Sequence, residues 1–164
     1  MRISDTHIYV DQFGRSGGLH FLTHYHSDHT RGLSREWSRP VVCSPLTGRL
    51  LEADAGVRPE CIVTLDAGQR RRFSDGTEPV EVTAYEANHC PGAVMYLFEF
   101  DGKRVLYTGD FRLDDGMRKK LREFRGVDEL YVDCTYDEPH YRLSLIHISE
   151  PTRPLYISYA VFCL

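Results

Sequence analysis

The run His24-Tyr25-His26-Ser27-Asp28-His29 constrains this chain more than any other stretch. It follows Leu19-His20-Phe21-Leu22-Thr23, an apolar segment that reads as a strand. Side chains alternate along a strand with period two, so His24 and His26 share a face and can grip one ion. Asp28 and His29 come after the strand has turned towards a helix that TRGLSREW would begin, so they point at a neighbouring position where a second ion could sit. A lone histidine is more often a satisfied core or surface residue. Three within six residues, with an aspartate among them, form a metal-site pattern, and zinc accepts such donors at about 2.0–2.2 Å.

Two more residues stand where such a site would draw ligands. His89 follows the strand-like VEVTAY, and Asp110 follows KRVLY in Thr108-Gly109-Asp110. Both lie just past a predicted strand end, and a sheet commonly builds a site on its rim from several such ends. Asp11 in IYVDQF and Asp133 in YVDCTY also close predicted strands, where each could instead cap a turn or end a strand. His7, His20, His140 and His147 match no motif and read as ordinary polar residues.

Eight β-type runs separated by turn signals give a sheet-rich α/β fold: THIYVD, LHFLTH, RPVVCS, CIVTLD, VEVTAY, AVMYLFEF, KRVLYTGD and ELYVDCT. Ser44-Pro45 before LTGRLLEADAG supplies an N-cap, a proline at the first helical position and a closing glycine, so a helix of about ten residues is expected there. A second helix is expected over Met117 to Phe124. Asp101-Gly102 tolerates the positive φ of a tight hairpin, which would set AVMYLFEF and KRVLYTGD side by side.

With 164 residues, 41% of them hydrophobic, the chain has material for one domain core. Its net charge of −4 does not advertise a polyanion partner, so any nucleic-acid substrate must be attracted by metal ions and local patches. Five cysteines without a CxxC pair suggest neither a disulfide framework nor a zinc knuckle and fit a reducing compartment. The N-terminus lacks a signal-peptide profile, and the apolar stretch near the C-terminus is far below the ~20 residues of a membrane helix. The expectation is a soluble, intracellular chain without a membrane partner. From about Leu143 the charge pattern and periodicity lapse: LSLIHISEPTRPLYISYAVFCL holds two charged residues, Glu150 and Arg153. It resembles translated sequencing-adapter read-through, so residues 143–164 are expected to be a non-native or unstructured tail.

Taken in order, THYHSDH, ANHCPGAVMYLFE, VLYTGDFR and LYVDCTY resemble the successive motifs of the metallo-β-lactamase superfamily. HxHxDH alone would cover the whole superfamily. HCPG joined to LYTGDFR is narrower and resembles its DNA cross-link repair nuclease (β-CASP) branch, the group that includes Artemis and Apollo. The resemblance runs from about Asp5 to Asp137 and implies an αββα sandwich, here the N-terminal half only, with residues 1–142 reaching the start of the β-CASP region. It implies that His24, His26 and His89 hold a first zinc ion, Asp28 and His29 a second, and that Asp110 is shared between them. Asp11 would orient the histidine loop from behind, and Asp133 would match the first acidic motif of the β-CASP region near the active site.

The implied activity is zinc-dependent hydrolysis of DNA phosphodiesters. It would take the form of a 5′ exonuclease on single strands or 5′ ends, or a structure-specific endonuclease, serving cross-link or double-strand break repair or telomere processing in the nucleus. Two departures stand out. Ala93 occupies a position where the branch commonly has serine, and the chain stops before the half that supplies a further histidine to the second zinc, so that site is expected to be incomplete. Rival readings are an RNA-processing or small-molecule thioester or lactam hydrolase, and a half-domain without catalysis. Arg112, followed by Arg118, Lys119, Lys120, Arg122 and Arg125, could position phosphate, although a charge run on a short helix is usually a solvated face. Arg70-Arg71-Arg72 is a weaker candidate, because strand alternation sends its members to opposite faces.

Overall fold

The structure is a computed structural model. It describes residues 1–133 except 4, 5, 15, 16, 75, 77 and 123, together with the backbone of 159–163. Strands β1 (Ile8–Val10), β2 (Leu19–Phe21), β3 (Val41–Cys43) and β4 (Ile62–Thr64) form a parallel sheet in sequential order. Strands β5 (Arg70–Phe73), β6 (Val80–Glu86), β7 (Val94–Phe100), β8 (Lys103–Tyr107), β9 (Glu129–Asp133) and β10 (Tyr159–Cys163) form the second, in the order β10-β9-β8-β7-β6-β5. That sheet is antiparallel except for the parallel β8–β9 pair.

Alternation within the strands dictates the layering. Val42 of β3 faces the other sheet, together with Phe21, Tyr96, Phe98, Val82, Ala84, Val105 and Tyr107. Its neighbours Val41 and Cys43 turn the other way, onto Leu51 of helix α1 (Pro45–Ala53) and onto Trp37. On β7 and β8 the alternate residues Met95, Leu97 and Leu106 receive Met117 of helix α2 (Asp115–Leu121). The result is a helix–sheet–sheet–helix sandwich. Burying a large apolar side chain contributes roughly 1.5–3 kcal/mol, so the three clusters define the layers. One polar group crosses the inner core: the Tyr96 hydroxyl reaches Leu22 O at 2.9 Å and Val42 O at 3.4 Å.

All eight anticipated strands are present. Ser44 caps α1 through its side chain and Thr47 N, and Asp101 and Gly102 take positive φ in the β7–β8 hairpin. Three expectations change, and a fourth segment, the arginine triplet, takes the strand form its alternation assumed. TRGLSREW forms turns rather than a helix, because Gly32 sits at φ +94 with its Cα against the Phe13 carbonyl, a conformation that breaks helical winding. Helix α2 starts before Met117, because Asp114 caps it by accepting from Met117 N at 2.7 Å. His20 is a fully buried core residue, stacked on Tyr9 and edge-on to Trp37. The arginine triplet forms β5, an edge strand in which Arg70 pairs with Glu81 and Glu99.

Tyr159–Cys163 pairs with Glu129–Asp133, whereas residues 134–158, which hold His140, His147 and most of the expected tail, lie outside the described residues. Among the described residues no helix is long and apolar enough to cross a membrane.

Candidate metal centre

Every anticipated ligand lies at one rim of the sandwich, because the topology brings the C-terminal ends of β1, β2, β6, β8 and β9 to the same edge. Asp11 follows β1, the histidine run follows β2, His89 follows β6 and Asp110 follows β8. The parallel register pairs Tyr107 with Tyr131, so Asp133 ends β9 at the edge where the Asp110 loop leaves β8. Gly109 takes φ +54 there, and a Cβ on it would lie 2.8 to 3.0 Å from the Thr23 side chain. That close approach requires glycine and sets Asp110 against the histidine segment.

Four residues converge on one point. His24, His26, His89 and Asp110 each offer a ligand atom, all within 4.8 Å of one another. His24 Nε2 lies 2.9 Å from His26 Nδ1, and His89 Nε2 lies 3.3 Å from the same atom. Asp110 Oδ2 is 3.5 Å from His89 Nε2 and 4.0 Å from His24 Nε2. A tetrahedral ion with bonds of about 2.0–2.2 Å separates its donors by about 3.4 Å, a value these distances bracket. Asp28 and His29 gather beside this point: His29 Nε2 is 3.2 Å from Asp110 Oδ1 and 3.7 Å from Asp28 Oδ2, and makes no hydrogen bond although fully buried. A buried ring nitrogen aimed between two carboxylates fits a cation ligand, and Asp110 turns one oxygen to each group.

The support behind these ligands settles which nitrogens are free. Asp11 is held at φ +51, and its carboxylate accepts from Thr23 N, from Thr23 Oγ1 (both 2.8 Å) and from His29 Nδ1 (2.9 Å). Since the Thr23 hydroxyl donates to Asp11, it can only accept at its 3.0 Å contact with His24 Nδ1. His24 therefore carries its proton on Nδ1 and presents the Nε2 lone pair to the ion site. Asp11 thus fixes His29 directly and His24 through Thr23.

Electrostatics differ sharply between these two rings in the metal-free site. Burial, then the neighbouring His29 cation, hold His24 well below 6.5 despite Asp110. Burial also opposes charge on His29, but Asp11 and Asp110 outweigh it and raise the ring to about 10. An incoming dication must displace that proton, as metal binding to histidine generally does.

A model of the Beta-lactamase superfamily domain matches residues 19–152. The chain belongs to this superfamily. Among curated relatives it is 48% identical to the 5′ exonuclease Apollo of Gallus gallus over 84% of this chain and 31% of that protein. It is 42% identical to the DNA cross-link repair 1A protein of Mus musculus, over 85% of this chain and 14% of the relative. It is 39% identical to the DNA cross-link repair protein SNM1 of Arabidopsis thaliana, over 87% and 28%. The chain thus spans about a third or less of the length of these relatives.

Within this beta-lactamase superfamily centre, two positions escaped the sequence reading. Thr23 looks like strand filler, and only its place between Asp11 and His24 could have signalled a role. Asn88 takes φ +53 and its amide donates to Asp114 Oδ2 (2.9 Å) and Arg112 O (3.3 Å), tying the His89 loop to the segment after Asp110. Arg112 reaches the rim through its backbone, with its N–H 3.4 Å from Ala87 O. Cys90 packs against the outer apolar cluster around Met95 and Leu97 and is not among the converging donors. Ala93 lies buried in that same cluster, bonded through its backbone to Cys90 and Ala87.

Proposed function

We propose that this chain is the metal-binding part of a DNA nuclease that hydrolyses phosphodiester bonds with two zinc ions, in cross-link or double-strand break repair or at telomere ends in the nucleus. The observation that carries the reading is the convergence of three histidine nitrogens and Asp110 on one point, with Asp28 and His29 beside it. The relatives named a 5′ exonuclease and DNA cross-link repair proteins support DNA as the substrate over RNA, thioesters or lactams. The reading includes 5′ ends or single strands as the form attacked.

Held by these residues, a zinc pair would supply water activated near neutral pH and positive charge against the phosphate oxygens. His24, His26, His89 and Asp110 Oδ2 would hold the first ion, and Asp28, His29 and Asp110 Oδ1 the second. Asp11 keeps the His29 and His24 rings aimed through the bonds described above, which sets both direction and basicity of the donors. Asp133, at the end of β9 on the same rim, and Arg112, two residues past Asp110, would face the substrate strand.

Purified chain, with its zinc content measured, tests this on 5′-labelled single-stranded DNA. EDTA-sensitive cleavage that Asp110→Ala abolishes supports the assignment; a thioester or lactam cleaved faster than DNA overturns it. The second position has three donors on this chain, and the chain spans 31% of its Apollo relative. A second reading follows, in which the isolated polypeptide holds fewer than two zinc ions and cleaves no DNA. Metal content and cleavage together separate the two.

A further inference from the structure

A cavity of about 640 Å³ opens beside the second-ion group, lined by Asp11, Gln12, Phe13, Gly14, Asp28, Arg31 and Gly32. Arg31 is the one cation among its described lining residues. The turn that carries it is fixed at both ends: His26 O accepts from His29 N and Thr30 N (both 3.0 Å), and Leu33 N bonds Thr30 O at 3.0 Å above a buried side chain. Gly32, at φ +94, lies so close to the Phe13 carbonyl that a Cβ would collide with it, which locks the turn against the far wall of the cavity. The arginine is therefore presented from a rigid base, three residues from Asp28.

Among the described residues its guanidinium is uncommitted. Arg58 pairs with Glu60, Arg70 with Glu81 and Glu99, Arg104 with Glu99, and Arg39 lies over the Trp37 ring. Arg31 is exposed and makes no hydrogen bond or ion pair among the described residues. The carboxylates in the cavity lining, Asp11 and Asp28, are engaged with or turned towards His29. Exposed Arg31 thus offers this open hollow a planar, permanently charged donor, the side chain best matched to a phosphodiester.

We propose that this cavity is a backbone subsite in which Arg31 holds a phosphate of the DNA strand neighbouring the one at the metal centre, so that the strand leaves the site along the Asp28 side. The proposal rests on the nuclease reading and adds a direction to it. The basic residues of α2 offer a competing path: Arg118 and Lys119 are exposed there, on the outer layer of the second sheet.

The test is binding of a fluorescent 5′-phosphorylated single-stranded oligonucleotide to the full chain in EDTA, followed by anisotropy over a range of salt concentrations. One phosphate contact contributes about 0.7 to the slope of log affinity against log salt for single strands. Arg31→Ala is expected to lower that slope by about this amount, equally for two unrelated oligonucleotide sequences. Arg31→Lys is expected to keep most of the slope, and Lys119→Ala to leave it unchanged. A parent that binds while Arg31→Ala keeps the full slope overturns the subsite alone; loss of slope in Lys119→Ala instead would place the strand along α2. A parent with no salt-dependent binding in EDTA overturns the subsite alone; the nuclease reading then stands or falls on cleavage of the same oligonucleotide by the zinc-loaded chain.

Discussion

A threonine hydroxyl has one proton to give, and Thr23 gives it to Asp11, which obliges His24 to donate from Nδ1 and leaves Nε2 for a metal. Thr23→Val keeps the shape and removes the hydroxyl. Partners of this kind typically change metal affinity 10–100-fold, so Thr23→Val should weaken zinc binding by about that factor, while Thr23→Ser stays near the parent. Competition with a chromophoric chelator measures both, and an unchanged affinity in Thr23→Val would reject the relay.

The charge states of His24 and His29 give a second prediction. His24 is depressed below 6.5, so the folded chain binds fewer protons than the unfolded one, and its contribution to stability is present above pH 6.5 and lost as pH falls below it. His29 is raised to about 10, so its contribution is full below pH 6.5 and lost as pH climbs to about 10. For these two groups the metal-free chain is most stable near pH 6.5. Denaturant midpoints in EDTA from pH 5 to 10 should show a decline on both sides, and the alkaline limb should vanish in His29→Gln.

At the scale of elements, the strands with apolar alternation were legible, as were the capped helix and the Asp-Gly hairpin, because each carries its cause locally. β5 was treated as a strand without apolar support, since three arginines in a row give no apolar period; Arg70 pairs with Glu81 and Glu99 across the sheet. The segment after the histidine run was misread as a helix because its apolar spacing, Leu33 to Trp37, matches one helical turn; the contact of Gly32 with Phe13, decided by tertiary packing, overrides it. That His24, His26, His89 and Asp110 would come together was legible in the motif, but Thr23 and Asn88 needed a partner distant in sequence to declare themselves.

Loop geometry carries its own prediction. Gly109 combines positive φ with a Cβ direction blocked by Thr23, so Gly109→Ala should cost about 1–3 kcal/mol and displace Asp110, read as a lower denaturant midpoint with weaker zinc uptake. Ser44 both caps α1 and donates to Gly92 O at 2.6 Å next to the His89 loop, so Ser44→Ala should cost about 1 kcal/mol.

For the whole molecule, the candidate ligands come from both layers: His24 and His26 from the first sheet, His89 and Asp110 from the second. An ion at their centre would cross-link the sandwich. Free zinc at about a hundred times its dissociation constant should stabilise the fold by about 2.7 kcal/mol, a rise of roughly 5–10 °C in Tm for a chain of this size. EDTA should reverse it, and His89→Ala should flatten it.

The Tyr96 hydroxyl has a further consequence for this joint. It stands on the second sheet yet donates to the carbonyl of Leu22, the residue before Thr23. Were one layer to slip along the other, that hydroxyl would be stranded among apolar side chains at about 1–3 kcal/mol. The phenol thus acts as an alignment pin: the spacing between the two halves of the ligand set is gauged from inside the core before any ion arrives.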